Sequence, residues 1–461
     1  MIVGAGIAGC MAAATIALKG KGRVDVALLD RNPPSEVGKK NTLGWVCGDA
    51  VGEHHIKYVH DQVGVTYGLP EMENHVTAVY VYSPDMKVKV PFEGPGFVLD
   101  RPKFGRRLLD DALKAGVAYM GNAQATGLIA ESGRVVGLKG QTTEGSVNQP
   151  FEIRAKLVID SSGMSTKLRR DLPIPSYIEK EIDKDDVEPT ARINARLGDG
   201  IEVETSHCDI YLDQEKAPGG YLWLFPKAED KVNIGLGIQQ KRTHRPLNAL
   251  LKDWVSTDPR LKNIQPLTDD SNLNGAWQVS VRHQNDCLVA NGYMICGDAA
   301  WFPNPISAGG IGPGLIGGVM AGETAIRAVE ANDFSERQLW QYNLDFVQHY
   351  GNKTAGLEAF RLYLQTLNNE EINYGMRHFL SASEATEISL GEMPELSPLQ
   401  KLVKLFRGLG SYKAFKGLVY TMDGMKQLNH LYQQYPKEPS QFPAWKGQVD
   451  SILSKARTRF N

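Results

Sequence analysis

The chain opens on a short apolar pair, Ile2-Val3, followed by a glycine turn, a helix-forming run over Met11–Leu18, and a second apolar stretch, Val24–Leu29, that stops at Asp30. This order predicts strand, tight turn, helix, strand, acid. With Ile2 already in the first strand, the sequence is read as lacking a few residues of that strand's start. Residues 31–50 lose the periodicity. Pro33, Pro34 and Gly38 predict a loop ending in Cys47-Gly48-Asp49-Ala50, before a helix-like run. The stretches HVTAVYVYS, MKVKVPFEG and GFVLD alternate with period two, and Asp85-Met86 is turn-like, so residues 75–99 predict a hairpin. A helix is predicted from Arg101 through Ala115, then short strands with a turn at Ser132-Gly133, then a buried strand ending at Asp160-Ser161-Ser162-Gly163.

Past Pro173 and Pro175 the acidic run Glu179 to Glu188 marks a boundary, and alternating strands such as HCDIYLD and KVNIGLGI follow. Residues 288–330 return to a hairpin, a strand, Gly297-Asp298-Ala299-Ala300, and a glycine-rich loop opening a long helix. From residue 334 to 461 apolar positions recur at helical spacing, broken by Pro394, Pro398, Pro436, Pro439 and Pro443. The fold class expected is α/β, with a Rossmann-like nucleotide domain (1–74, 100–170 and 285–333). An inserted antiparallel-sheet substrate domain (75–99 and 171–284) and a helical C-terminal region (334–461) complete it.

Chemistry enters through the glycines. Gly4, Gly6 and Gly9 have GxGxxG spacing inside the strand–helix–strand frame that a dinucleotide fingerprint requires. Gly4 permits the turn, Gly6 admits a pyrophosphate to the backbone, and Gly9 lets the helix pack close. Asp30 can accept hydrogen bonds from adenosine ribose hydroxyls. Asp298 ends a later strand, and the Gly310 and Ile311 amides open the long helix, where a helix N-terminus stabilises the negative charge of a reduced flavin. The two distant glycine loops together predict a grip on the two ends of one FAD.

Three features keep two readings each. Cys47 is a small buried thiol, or a thiol beside a redox ring at a helix N-terminus that favours thiolate. Arg101 is a solvated arginine, or one facing a phosphate or flavin, since a helix start disfavours cations. Tyr221, Trp223 and Phe225 share one face of a strand, as core packing or as the wall of an apolar ligand site.

Composition narrows the classes. A net charge of −2 leaves no electrostatic footprint for nucleic acid. Five cysteines without a C-x-x-C pair argue against a disulfide scaffold, a zinc site or an iron–sulfur cluster, and no metal is expected. The longest apolar run, Ile311 to Ala321, is too short to span a bilayer.

GAGIAG, VCGDA, DRPKF, DSSG, PGGYLWLFP and GDAAWFPNPISAGGIGPG together resemble the geranylgeranyl reductase family of FAD proteins, within the aromatic-hydroxylase type of flavoprotein. INYGM (372–376) and LYQQYP (431–436) extend the likeness over essentially the whole chain. The archaeal members that act on digeranylgeranylglycerophospholipids look nearest. The resemblance implies FAD as cofactor, with Ala8 and Asp30 at the adenosine end and Cys47, Gly48 and Ala50 lining the flavin. Arg101 and Ala125 would contact the cofactor, and Asp298, Gly310 and Ile311 would complete its site. Tyr221, Trp223 and Phe225 would form the wall for a prenyl chain. Two departures stand out: Ala308 where a glycine is expected, and an insertion at Gly20-Lys21-Gly22-Arg23.

The implied activity is hydrogenation of geranylgeranyl C=C bonds on ether-lipid precursors, with Cys47, a water or the flavin itself as proton donor. A flavin monooxygenase of the same fold and a non-catalytic prenyl-lipid-binding flavoprotein are the alternatives. The implied setting is cytoplasmic, in peripheral contact with a membrane, with a ferredoxin or another small reductant as electron donor.

Overall fold

The computed structural model describes residues 1–37, 47–144, 147–164, 166–267, 275–378 and 412–460. Gly38 and the rest of the loop to residue 46, with Pro394 and Pro398, lie outside them. The first strand is only Ile2–Val3, yet both residues are buried and it pairs in parallel on both sides, with Ala27–Leu29 and with Val158–Asp160. The sheet runs, in space, Val289–Ala290, Tyr293–Ile295, Val158–Asp160, Ile2–Val3, Ala27–Leu29, Ala118–Met120. From the central strand Ile2–Val3 the chain builds outward through Ala27–Leu29 and Ala118–Met120, then returns to Val158–Asp160 on the other side, so the crevice at its carboxyl end is a switch point for ligands. The second strand is shorter than the apolar run predicts. The helix Ile7–Gly20 ends on Lys21 in the left-handed region (φ 48°), and Gly22 follows at φ 75°, so the chain is still turning there.

That helix and the long helix Ile311–Ala331 pack through small residues. A Cβ on Gly318 would sit 2.6 Å from the Ala8 carbonyl oxygen, and one on Gly322 2.9 Å from that of Ala12. Both helices therefore present their N-termini to one crevice. Lys19, just before the insertion, and Arg23, its last residue, form salt bridges to Glu323 and Glu330 of the long helix.

The second sheet is larger and mostly antiparallel. Its path is Gln265–Pro266, Val187–Arg196, Lys231–Gly237, Tyr221–Pro226, His207–Tyr211, Asn74–Tyr82, Lys89–Val98 and Ala50–Gly52, with Gly275–Ser280 also pairing Val187–Arg196. The predicted hairpin is present, but MKVKVPFEG and GFVLD merge into one strand, Lys89–Val98. The turn is closed by Met86 at φ 58°. Glu188, expected at a boundary, lies inside a strand. Leu222 and Leu224 face outward into a core with Ile234, Leu236 and Trp254, while Trp223 and Phe225 face the opposite way. A third sheet joins Ala123–Glu131, Arg134–Glu144 and Val147–Arg154.

The C-terminal region is helical where described, with Asn352–Leu364, Asn369–His378, Tyr412–Gln433 and Phe442–Phe460 as its main elements. Pro443 does not break this run: it occupies the first turn of the last helix, where no backbone N–H is needed. Buried charge fastens the region to the sheets. Asp186, at the lip of the large sheet, accepts hydrogen bonds from Arg361 and Arg457, each at 2.6 Å. Glu358 accepts from the His283 backbone N–H at 3.0 Å and also pairs with the His283 ring and Arg457. Lys446 reaches Glu179 at 2.7 Å and Asp286 at 3.0 Å.

Candidate active site

A single cavity of about 1390 Å³ runs from the glycine turn to the inner face of the large sheet and along the helix Asn352–Leu364. Gly4, Gly6, Ala8, Asp30, Cys47, Gly48, Ala50, Arg101, Ala125, Tyr221, Trp223, Phe225, Asp298, Gly310 and Ile311 all line it. Gly9 stands behind the wall. Its Cβ would lie 1.9 Å from the Gly4 carbonyl oxygen, so only glycine lets the helix approach. Gly4 has φ 99°, which an L side chain resists, whereas a Cβ on Gly6 would meet nothing within 4 Å. The first and third glycines thus shape the turn, and the second leaves its backbone open to the cavity.

The chemistry of this end fits a flavin dinucleotide. Neither helix entering the cavity, Ile7–Gly20 behind Gly6 nor Ile311–Ala331 behind Gly310, has a side-chain cap. Their first N–H groups are left for an acceptor such as a phosphate or the pyrimidine oxygen of a flavin. Asp30 is steadied by the N–H groups of Ala5 (2.7 Å) and Asn32 (2.8 Å), and the residue borders the cavity beside the glycine turn. Asp298 is pushed above the ordinary carboxyl range by burial, with Arg101 opposing. Ala308, the departure from glycine, adopts φ 52° all the same, a left-handed conformation that its Cβ makes costlier than glycine would.

Arg101 is not a solvated arginine. It is 7 % exposed, and its guanidinium hydrogen-bonds the Cys47 side chain. Cys47 does not stand at a helix start either, because a short strand, Ala50–Gly52, intervenes before the helix Glu53–Val63. Burial, and then the Asp49 carboxylate, push its thiol above its ordinary value. Arg101 and Arg192 pull the other way, and the balance favours the thiol over the thiolate.

The aromatic row is physically continuous, with Tyr221–Trp223 and Trp223–Phe225 ring centroids 6.2 and 6.3 Å apart. Glycines on the neighbouring strand make room. A Cβ on Gly235 would fall 2.3 Å from the Trp223 ring. Two ties hold the row to the cofactor loops. Tyr221 donates to the Ser307 carbonyl at 2.6 Å, just before the second glycine loop. Trp223 Nε1 donates to Asn233 Oδ1 at 2.9 Å, and Asn233 Nδ2 donates to the Cys47 carbonyl (2.9 Å) and to Asp49 Oδ2 (2.8 Å). Asp49, at φ 66° and with its side chain wholly buried, also accepts from Arg192 at 2.7 Å.

Sequence reasoning missed Asp49, Arg192 and Asn233. The signal was present in part: Arg192 and Asn233 alternate with apolar residues inside strands, and a polar side chain buried there demands a partner. Glu188 was missed in the same way. It borders the cavity and bonds Gln365, and burial, against Arg361 and that bond, raises its carboxyl to about 7. Replacing Asn233 by Ala should leave FAD bound but cost about 1–3 kcal/mol of stability. It should lower kcat with little change in KM, as paired urea and kinetic measurements would show.

The model of the geranylgeranyl reductase catalytic domain matches residues 186–268, most of the aromatic-walled sheet. The digeranylgeranylglycerophospholipid reductase of Sulfolobus acidocaldarius is 32% identical over 461 residues, covering 99% of this chain and 97% of that one. Its namesake from Methanosarcina acetivorans is 30% identical over 74% of this chain and 77% of its own length. Among solved structures, a geranylgeranyl bacteriochlorophyll reductase-like protein from Thermoplasma acidophilum superposes with TM-score 0.73 at 24% identity, covering 91% and 98% of the two chains. A myxobacterial FAD-dependent halogenase, CndH, reaches 0.65 at 15% identity, covering 94% and 96%.

Proposed function

The chain belongs to the geranylgeranyl reductase family, and on that premise we propose that it is a flavin-dependent reductase hydrogenating the C=C bonds of geranylgeranyl chains on ether-lipid precursors. One observation carries the reading. The crevice behind two uncapped helix N-termini and Asp30 opens, without a partition, onto a row of aromatic faces, and Cys47 borders the same cavity.

FAD, bound and reduced, supplies a hydride equivalent to a carbon acceptor. The chain's residues have three tasks. Gly6, Ala8, Asp30, Gly48, Ala50, Arg101, Ala125, Asp298, Gly310 and Ile311 hold the cofactor. Tyr221, Trp223 and Phe225 hold the alkene in near-attack geometry and keep water away. Cys47 holds the proton. An isolated trisubstituted alkene has no carbonyl to polarise, so its less substituted carbon must take a proton as the other takes hydride. The Cys47 S–H is a donor whose proton stays in place at neutral pH. Aromatic faces attract the positive charge that develops on the more substituted carbon. The finer parts of the proposal are a ferredoxin or another small reductant as electron donor, and peripheral contact with the cytoplasmic face of a membrane. Among the described residues no helix is long and apolar enough to cross one.

Protein soaked with FAD and passed through gel filtration should retain the visible bands of an oxidised flavin; colourless protein would end the proposal. Trp223→Ala and Tyr221→Ala should keep those bands while raising KM for a prenyl substrate about tenfold or more. Loss of flavin instead would assign the row to plain core.

A further inference from the structure

On the reading above, each double bond saturated takes the proton of Cys47, and a prenyl chain in the cavity excludes the water that would replace it. The replacement then has to come through the protein. A line of ion pairs runs from the surface to the Cys47 loop. Lys231 Nζ lies 4.0 Å from Glu229 Oε2 and 3.4 Å from Glu73 Oε1. Lys227 Nζ lies 2.9 Å from Glu73 Oε2 and 3.4 Å from Asp49 Oδ2. Asp49 shares a turn with the thiol, its backbone N–H donating to Cys47 Sγ at 3.3 Å. Side-chain exposure falls steadily inward, from 69 % at Glu229 through 25 % at Lys231, 11 % at Glu73 and 6 % at Lys227 to 0 % at Asp49.

The fold makes this line. Lys227 and Lys231 flank the turn between the strands Tyr221–Pro226 and Lys231–Gly237, and the Lys227 N–H donates to the Lys231 carbonyl at 2.8 Å. Both ammonium groups thus meet Glu73, which directly precedes Asn74–Tyr82. Among the described residues, those lining the cavity include Asp49 and Cys47 but neither Lys227 nor Glu73, so the line stays clear of a bound lipid. Lysine, glutamate and aspartate can each release and retake a proton, whereas arginine does not deprotonate. Arg192 on Asp49 and Arg101 on Cys47 therefore hold charge in place but carry no proton through. Asp49 holds Arg192, Lys227 and Asn233 on Oδ2 alone. Its Oδ1, equally buried, accepts no hydrogen bond among the described residues. The carboxylate can thus carry a proton there without breaking its other bonds.

We propose that Glu73, Lys227 and Asp49 form the path by which Cys47 regains its proton between turnovers. This rests on the reading that Cys47 is the donor to the alkene. As the alkene accepts hydride, the Cys47 S–H bond breaks and its proton goes to the less substituted carbon. Lys227 gives an N–H proton to the Asp49 carboxylate, which gives it to the thiolate and restores the S–H bond. Glu73 returns a proton to Lys227 and is refilled from solvent beside Lys231. No electron moves on this path, and one proton enters from solvent for every double bond. In wild type the path outpaces the alkene step, so its loss shows only after the first turnover.

The test uses FAD-loaded, chemically reduced protein and a geranylgeranyl phospholipid without oxygen. Lys227→Arg keeps a cation against Glu73 and Asp49 but releases no proton. Glu73→Gln keeps the shape and loses the acid. In both variants the first flavin oxidation should stay within about twofold of wild type, while later turnovers with excess reductant slow about tenfold or more. A second reading needs no turnover. With FAD oxidised and the lipid bound, the infrared S–H band of Cys47, isolated by subtracting Cys47→Ala, should exchange in D2O about tenfold or more slowly in both variants. Retained flavin bands certify folding. Either variant matching wild type in either reading would overturn the path. A first turnover slowed as much as the later ones would also overturn it, assigning the residues to the shape of the site. If wild type left the lipid unreduced, the proposed activity would fall, and the exchange comparison would still decide the path.

Discussion

Cys47→Ala should keep FAD and lose turnover by about a hundred-fold or more. The thiol borders the aromatic-walled cavity and is hydrogen-bonded by Arg101, with burial keeping its proton on. Alanine leaves the neighbours in place, because Asn233 holds the Cys47 carbonyl rather than its sulfur. Cys47→Ser should recover part of the rate, since a hydroxyl also carries a proton but is a weaker acid. The pH profile makes the same point. A donor whose pKa is raised remains protonated past the ordinary thiol range, so activity should not fall until the pH exceeds that range. A rate limb that rises as a thiol ionises would mean a thiolate mechanism, and unchanged kcat in Cys47→Ala would remove the residue from the chemistry.

Glu358→Gln should lower stability by about 3–5 kcal/mol, read as a reduced urea midpoint. Glu358 is fully buried and faces His283, Arg282 and Arg457, so removing its charge strands cations in the interior. Burial by itself would lower His283, but Asp286 and Glu358 outweigh it and raise the ring to about 9. A raised histidine contributes stability in full below its ordinary 6.5 and loses it as pH climbs through about 9. Burial by itself would raise Glu358, but His283 and Arg457 outweigh it, and the carboxyl is held well below its ordinary 4.5. Its contribution is full above 4.5 and is lost as pH falls through the depressed value. Wild type should therefore be most stable between these limits and weaken on both sides, and Glu358→Gln should flatten the alkaline limb. A Glu358→Gln midpoint equal to wild type would show that the pair holds nothing together.

The strand, glycine turn and helix at the start of the chain were legible because their physics is local. Gly4, Gly6 and Gly9 act on neighbours within a few residues, and Asp30 follows the next strand directly. The aromatic row was legible for a similar reason, since period two alone puts Tyr221, Trp223 and Phe225 on one face. Long-range pairs were not. Arg192 meets Asp49 across 143 positions, and Asn233 meets Cys47 across 186. No spacing rule links them; only the fold brings the Cys47 loop against the sheet. Arg101 and Cys47 were each visible but ambiguous, and the fold showed Arg101 to be buried rather than solvated.

The central claim is that the greasy face and the flavin crevice serve one reaction. Incubating FAD-loaded, chemically reduced protein with a geranylgeranyl phospholipid under strict exclusion of oxygen, then weighing the lipid, tests it most directly. The account predicts a gain of one hydrogen molecule's mass for every double bond saturated. Lipid of unchanged mass, with the flavin still reduced at the end, would contradict it.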